Sequence, residues 1–142
     1  MLRVVIDTTV IFSGILSHKG APAELLNAWR ERRFLLLCSS AIVAEVRAAA
    51  QYPHIRDKYH LSDDEIEQMM TLLEHDALLV AGDADVAGGI PDDSKDEMFL
   101  ACGLDGQADV TMSGNHHLLD LESYRDIPIM IARQFLEQLR QD

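Results

Sequence analysis

Short apolar runs alternate with segments of helical periodicity along most of the 142-residue chain. The runs are rich in Val, Ile and Leu, whereas the segments between them carry helix caps and apolar residues at helical spacing. This alternation predicts an α/β fold in three layers, α/β/α, with a central and mostly parallel sheet. The predicted strands are 2–7, 34–38, 77–81, 109–112 and 127–131, and the predicted helices are 22–32, 39–50, the segment after the capping box Ser62–Glu65, 94–104 and 132–140.

Length and composition are those of an ordinary globular protein. With 142 residues, 48% of them hydrophobic and 25% charged, the chain is long enough to bury a core as one domain, expected to span 1–142. No apolar run approaches the ~20 residues of a membrane span, and Asp7 interrupts the first apolar stretch, so we expect a cytoplasmic protein without a membrane partner. Cys38 and Cys102 are too few for a disulfide framework and lie in apolar runs, which favours core positions.

Charge is distributed unevenly along the chain, whose net charge is −12. Residues 1–58 contain eight Lys/Arg and five Asp/Glu, and residues 59–142 contain four and nineteen, so the two parts carry +3 and −15. A protein this acidic cannot hold a nucleic acid by overall charge, so such a substrate would need a locally basic surface. The candidates for a basic rim beside an acidic site are Arg30, Arg32, Arg33 and Arg47, although a solvated helix face is the alternative for each.

Polar residues stand where predicted strands end. Sites in open parallel sheets form beyond the carboxyl ends of the strands, where the strand order reverses. Asp7 ends the first predicted strand, and Asn115 closes a turn just after the strand 109–112. Glu45 interrupts an otherwise apolar helical stretch, where an acid on the packed side would need a partner. Helix capping by Asp7 and a surface ion pair between Glu45 and Arg47 are the structural alternatives.

The densest group of acids is Asp92, Asp93, Asp96 and Glu97. It begins a predicted helix, and Ser94–Glu97 fits a capping box, so helix stabilisation explains part of the group. Capping uses one or two acids, however, and four acids crowded together repel one another unless a cation holds them.

The acids and the amide together predict a site for Mg²⁺ or Mn²⁺, which prefer oxygen ligands. Such a metal activates water and stabilises the charge that develops on a phosphodiester. The sequence shows no phosphate-binding loop, no dinucleotide fingerprint and no hydrolase nucleophile motif. His116 and His117 are adjacent and cannot both bind one metal from a regular strand or helix, so we interpret them as a loop pair.

Four segments together resemble the PIN-domain family, of the kind found as toxins of toxin–antitoxin modules. Val4–Gly14 resembles the opening strand with its Asp-Thr-Asn-Val motif, and Ser39–Val46 resembles the acidic helix. Pro91–Ala101 is similar to the third acidic element, and Ala108–Leu119 to the closing strand and turn. No single segment is specific, but their order and spacing cover nearly the whole chain.

This resemblance implies a Mg²⁺- or Mn²⁺-dependent endoribonuclease that cuts single-stranded or structured RNA. Asp7, Glu45 and one acid of the Asp96/Glu97 pair would bind the metal, and the choice between Asp96 and Glu97 stays open. Spacing back from Leu100 favours Glu97, and Asp93 has a smaller claim. The resemblance also implies an antitoxin protein as inhibitor and a homodimer.

Two positions depart from the family pattern. Thr9 stands where the family usually has an Asn that supports the first Asp, and Asn115 stands where it often has Asp. These departures motivate a second hypothesis, a catalytically weak or inactive PIN-like binding or assembly module. A phosphate-accepting receiver domain is a third, although receivers place two acids after the first strand and only Asp7 stands there.

Overall fold

A computed structural model describes residues 1–16, 19–90 and 94–141 of the chain. Strands and helices alternate through most of this part. The strands are β1 (Arg3–Ile6), β2 (Leu35–Ser39), β3 (Leu78–Val80), β4 (Val110–Met112), β5 (Ser123–Tyr124) and β6 (Ile127–Met130). The helices are α1 (Thr8–Leu16), α2 (Ala21–Arg30), α3 (Ser40–Ala49), α4 (Pro53–Tyr59), α5 (Asp63–His75), α6 (Glu97–Gly106), α7 (His116–Leu119) and α8 (Ala132–Gln141), and a 3₁₀ turn at Ser94–Asp96 precedes α6.

The sheet has the strand order β3-β2-β1-β4-β6-β5, and all pairs except β5–β6 are parallel. Val4 of β1 lies in register with Leu36 of β2 on one side and Val110 of β4 on the other. The chain therefore builds outward from β1 through β2 to β3, and then crosses to the opposite side of β1 for β4. The reversal places the switch point between β1 and β4, and the predicted three-layer α/β/α fold is confirmed.

The core is formed by the central strands and the helix faces against them. Val4, Val5 and Ile6 of β1 are completely buried, as a strand flanked by parallel neighbours requires. Cys38 and Cys102 are buried as predicted, and burial raises their pKa values to about 11 and about 12, so both thiols stay protonated near neutral pH. None of the described helices is both long and apolar enough to cross a membrane.

Capping chemistry explains where several helices begin. Ser39 caps α3 by accepting a hydrogen bond from the backbone N–H of Ile42, 3.2 Å away. Ser62 and Glu65 form the predicted capping box at the start of α5. The prediction was wrong for α6, which begins at Glu97 rather than at 94. Asp96 occupies its N-cap position without a side-chain capping bond.

Three helices and one strand were not predicted. In α1, the four β-branched residues Thr8–Ile11 lower intrinsic helix propensity, so capping by Asp7 at the N–H of Val10 and packing against α2 hold this helix. Pro53 occupies the first turn of α4, where its missing N–H costs nothing. The helix α7 and the strand β5 are too short to give a periodic signal.

Because α1 and α2 approach closely at Gly14, alanine at that position should affect stability differently from alanine at Gly103 of α6. A Cβ at Gly14 would lie 2.6 Å from the carbonyl oxygen of Pro22, whereas a Cβ at Gly103 would meet nothing nearer than 3.6 Å. We expect Gly14→Ala to lower the free energy of unfolding by ~1–3 kcal/mol. The control Gly103→Ala should be neutral or raise it by up to ~1 kcal/mol. Urea unfolding measures both, and equal midpoints for the two variants would contradict the packing described here.

Candidate active site

Asp7 lies at the carboxyl end of β1, at the switch point of the sheet. The residue is only 3% exposed, and its backbone N–H donates to the carbonyl of Met112 on β4. Its Oδ1 accepts a hydrogen bond of 3.0 Å from the N–H of Val10, in the first turn of α1. Burial raises the pKa of Asp7, and the hydrogen bonds to its carboxylate counteract part of that rise. A buried carboxylate with fixed orientation is therefore the centre of the site.

Ser113 connects Asp7 to the turn after β4. It is 1% exposed, and its hydroxyl donates to Oδ2 of Asp7 at 2.5 Å. The hydroxyl oxygen of Ser113 also accepts a hydrogen bond of 2.8 Å from the backbone N–H of Asn115. Ser113 was not singled out in the sequence analysis. A small hydroxyl residue directly after a buried strand was the available signal, and that signal is common in turns.

Asn115 extends the hydrogen-bonded chain to a second acid. Its Oδ1 accepts from the N–H of His117 at 3.0 Å and so caps α7, while its Nδ2 donates to Oδ2 of Asp96. Two predicted candidates, Asp96 and Asn115, are thus in direct contact and are linked through Ser113 to a third, Asp7. We call these four side chains (Asp7, Asp96, Ser113 and Asn115) the switch-point cluster.

Glu97 lies next to Asp96 but points its carboxylate elsewhere. Its Oε1 accepts a hydrogen bond of 3.1 Å from the N–H of Gly88, in the loop between β3 and the 3₁₀ turn. Spacing from Leu100 had favoured Glu97 as the acid of the site. The structure brings Asp96 to Asn115 instead, because the 3₁₀ turn delays the start of α6 until Glu97.

Two further predicted site residues, Glu45 and Thr9, form no side-chain hydrogen bond with the cluster in the described part of the chain. Glu45 is half-buried on α3, which starts at the same edge of the sheet, and its side chain makes no hydrogen bond or ion pair within 1–16, 19–90 and 94–141. Thr9 is exposed, so it does not replace the supporting Asn of the family by a contact to Asp7. Asp93 and its neighbour Asp92 lie outside the described residues.

The arginines expected to form a basic rim lie elsewhere. Arg30, Arg32 and Arg33 precede β2, so they lie at the amino edge of the parallel sheet, about 20 Å along the strands from the cluster. Arg30 and Arg32 line a cavity of about 480 Å³ there, to which no candidate acid contributes. Arg47 forms ion pairs with Glu67 at 2.8 Å and Glu74 at 3.6 Å on α5. The structure therefore does not bring these four arginines to the acids.

The cluster fits a hard divalent cation in its chemistry. Mg²⁺ is typically bound through one or two carboxylates and keeps several waters, and Asp7 and Asp96 supply two carboxylates. Each of their bonded oxygens retains a further lone pair. Thr8, directly after Asp7, has a buried hydroxyl without a partner in the described structure, a feature typical of a missing water or ion. No group of three His, Cys, Asp or Glu side chains suited to a metal occurs among the described residues.

Fold and site together define a doubly wound α/β protein with a hydrogen-bonded acidic cluster at its topological switch point. The model of the PIN domain matches residues 3–117. The chain belongs to the PIN-domain family. Among solved structures it is similar to a chain of VapBC2 from Rickettsia felis bound to a DNA fragment from their promoter. The TM-score is 0.61 at 9% identity, over 90% of this chain and 97% of that one. No curated protein matches the sequence.

Burial of Asp7 predicts a stability cost that depends on pH. Because the pKa is raised in the fold, the native state binds more protons than the unfolded state at intermediate pH, so stability falls as pH rises through that window. We expect Asp7→Asn to be more stable than the wild type at pH 7 in EDTA, with an advantage that shrinks towards pH 4. Urea midpoints between pH 4 and 8 measure this. The matched control is Asp57→Asn, at an exposed acid on α4, and a pH-independent gain would contradict the prediction.

The hydrogen bonds of Ser113 predict a second effect on stability, separate from that of the Asp7 carboxylate. Ser113→Ala removes the donor to Asp7 and the acceptor for Asn115, so we expect a loss of ~1–3 kcal/mol in the free energy of unfolding. The pKa of Asp7 should rise further, because a bond that lowers it is lost. Ser113→Thr keeps the hydroxyl and should retain most of the stability. Chemical denaturation of the three proteins tests this, and similar losses for Ala and Thr would show that space, not the hydroxyl, matters.

Proposed function

We propose that this protein is a Mg²⁺- or Mn²⁺-dependent endoribonuclease that acts as the toxin of a toxin–antitoxin pair. The observation that carries the proposal is the switch-point cluster, in which Asp7 and Asp96 are joined through Ser113 and Asn115. Membership of the PIN-domain family supports a nuclease activity. We extend this proposal to RNA as the substrate, to a divalent metal and to an antitoxin partner.

Asp7 and Asp96 would hold the metal. When bound, the metal supplies an activated water and stabilises charge on the phosphodiester in transit. The contribution of the chain is orientation, because Val10 and Ser113 each donate to a different oxygen of Asp7. Asn115 in turn holds one oxygen of Asp96. Both carboxylates are thus fixed before any substrate arrives, which avoids the cost of ordering them during the reaction.

Asn115 acts as a positioning residue in this proposal. Its carbonyl oxygen is used to cap α7 and its amide nitrogen is used to bind Asp96. An aspartate here could not donate to Asp96. Asn115 lacks the negative charge of an aspartate but provides the N–H that orients Asp96. Glu45 is the proposed third acid on the strength of the resemblance alone. Glu97 is assigned to the Gly88 loop rather than to the metal.

The partners follow from the same resemblance. An antitoxin protein would block the site in the resting cell, and two copies of the chain would form a dimer. The RNA would be single-stranded or structured. A net charge of −12 opposes long-range attraction of RNA, so short-range contacts near the cluster must provide most of the binding.

Cleavage of a mixed single-stranded and structured RNA in Mg²⁺, Mn²⁺ or EDTA tests the proposal. We expect metal-dependent cleavage by the wild type and a loss of at least about 100-fold in Asp7→Asn and in Asp96→Asn, since each removes a charged ligand. Glu97→Gln should cleave much faster than Asp96→Asn, because its carboxylate binds a loop. Asp57→Asn, on the exposed face of α4, is the control for an unrelated loss of charge.

Metal binding gives a readout independent of catalysis. Mn²⁺ titration followed by electron paramagnetic resonance should show a site that is lost in Asp7→Asn and kept in Asp57→Asn. Equal cleavage by the wild type and Asp7→Asn would show a contaminating nuclease. Absence of cleavage by the pure wild type in every metal would favour the binding-module hypothesis, with Thr9→Asn and Asn115→Asp as the first variants to restore the family pattern.

A further inference from the structure

Two histidine rings lie beside the switch-point cluster. His116 and His117 follow Asn115 directly, and their ring centroids are 4.1 Å apart with planes inclined by 37°. His116 is exposed, whereas His117 is partly buried. The rings therefore form a small tilted stack with one member open to solvent, on the helix that begins directly after Asn115 of the cluster.

The position of this stack is tied to the cluster by hydrogen bonds. The N–H of His117 donates to Oδ1 of Asn115, and the other end of that amide holds Asp96. Leu118, the next residue of α7, is completely buried, and α7 packs against β6. These contacts hold the backbone of α7, from which both rings project, next to the cluster.

The charge distribution makes an uncharged contact valuable here. The group Arg30, Arg32 and Arg33 is at the opposite edge of the sheet, and Arg47 is already paired with two glutamates. Stacking of a nucleobase on an aromatic ring does not depend on net charge and is tolerant of base identity. Unpaired RNA bases stack on His as well as on Phe, Tyr and Trp.

We propose that the His116–His117 stack is a platform for one unpaired nucleobase of an RNA bound at the cluster. The base lies on the open side of His116, and His117 supports that ring from behind as a positioning residue. This inference rests on the proposed function and adds a preference for single-stranded over duplex RNA, because a paired base cannot leave its stack to reach the platform without a cost.

The test is binding of a short single-stranded RNA that carries 2-aminopurine, whose fluorescence is quenched on stacking. It is performed with the full chain on the Asp7→Asn background in Mg²⁺, so that the RNA stays intact. We expect His116→Ala to weaken binding by roughly 5- to 100-fold and to abolish the quenching. His116→Phe should restore both, and His117→Ala should fall between the wild type and His116→Ala.

The matched control is His54→Ala. His54 is also exposed and stacked on an aromatic ring, that of Tyr52 at 5.9 Å, but it lies on α4 and makes no contact with the cluster. The His54→Ala variant should bind the RNA and quench 2-aminopurine fluorescence like the parent protein. Circular dichroism and thermal midpoints establish that all variants remain folded, and duplex RNA should bind equally to the parent and to His116→Ala.

Cleavage kinetics on the otherwise wild-type chain separate this inference from the proposed function. His116→Ala should raise KM with little change in kcat, because a ground-state contact is lost. If the wild type is active and His116→Ala has the same KM, the platform is refuted but the proposed nuclease activity is not. Equal quenching by His116→Ala and its parent would also refute the platform alone. Quenching that depends on His116 in a protein without cleavage would support the platform and refute the nuclease.

Discussion

The structure depends on placing one carboxylate, that of Asp7, in the interior at the end of a completely buried strand. Burial of a charge is costly unless hydrogen bonds compensate for it. The compensation comes from two directions, from Val10 in α1 and from Ser113 after β4. The carboxylate therefore joins the first strand, the first helix and the crossover strand at one point. A fold with a different neighbour for β1 would leave this carboxylate without the Ser113 donor.

Much of the fold could be predicted from the sequence, because the informative signals are local. Runs such as Val4–Ile6 and the capping box of Ser62 and Glu65 depend on a few consecutive residues. The helix α1 could not be predicted in this way. Its β-branched residues favour a strand by propensity, and its helical form is held by the cap from Asp7 to Val10 and by the close approach to α2 at Gly14. Tertiary contacts decide such cases, and one sequence does not display them.

The candidate site was predictable at its centre and less so at its edge. Asp7 follows a strong strand, and the general rule for parallel sheets places it at the switch point. The choice between Asp96 and Glu97 depends on where α6 begins, and a 3₁₀ turn shifts that start to Glu97. Ser113 escaped notice since a serine in a turn has many ordinary reasons to be there. Arg30, Arg32 and Arg33 lie away from the acids for a topological reason, because residues before a parallel strand lie at the opposite edge from those after it. Arg47 instead forms ion pairs with two glutamates of α5.

The same hydrogen bonds that compensate Asp7 also determine what the edge of the sheet can do. Ser113 is hydrogen bonded to Asp7 and to Asn115, and Asn115 is hydrogen bonded to Asp96 and to the first turn of α7. An aspartate at position 115 would provide another charge but would break the link to Asp96. Asparagine keeps the acids and the histidine stack in a fixed relative geometry without adding repulsion to an already acidic surface. The departure from the usual family residue is thus a change in how the site is held together, and it makes orientation rather than additional charge the contribution of this position.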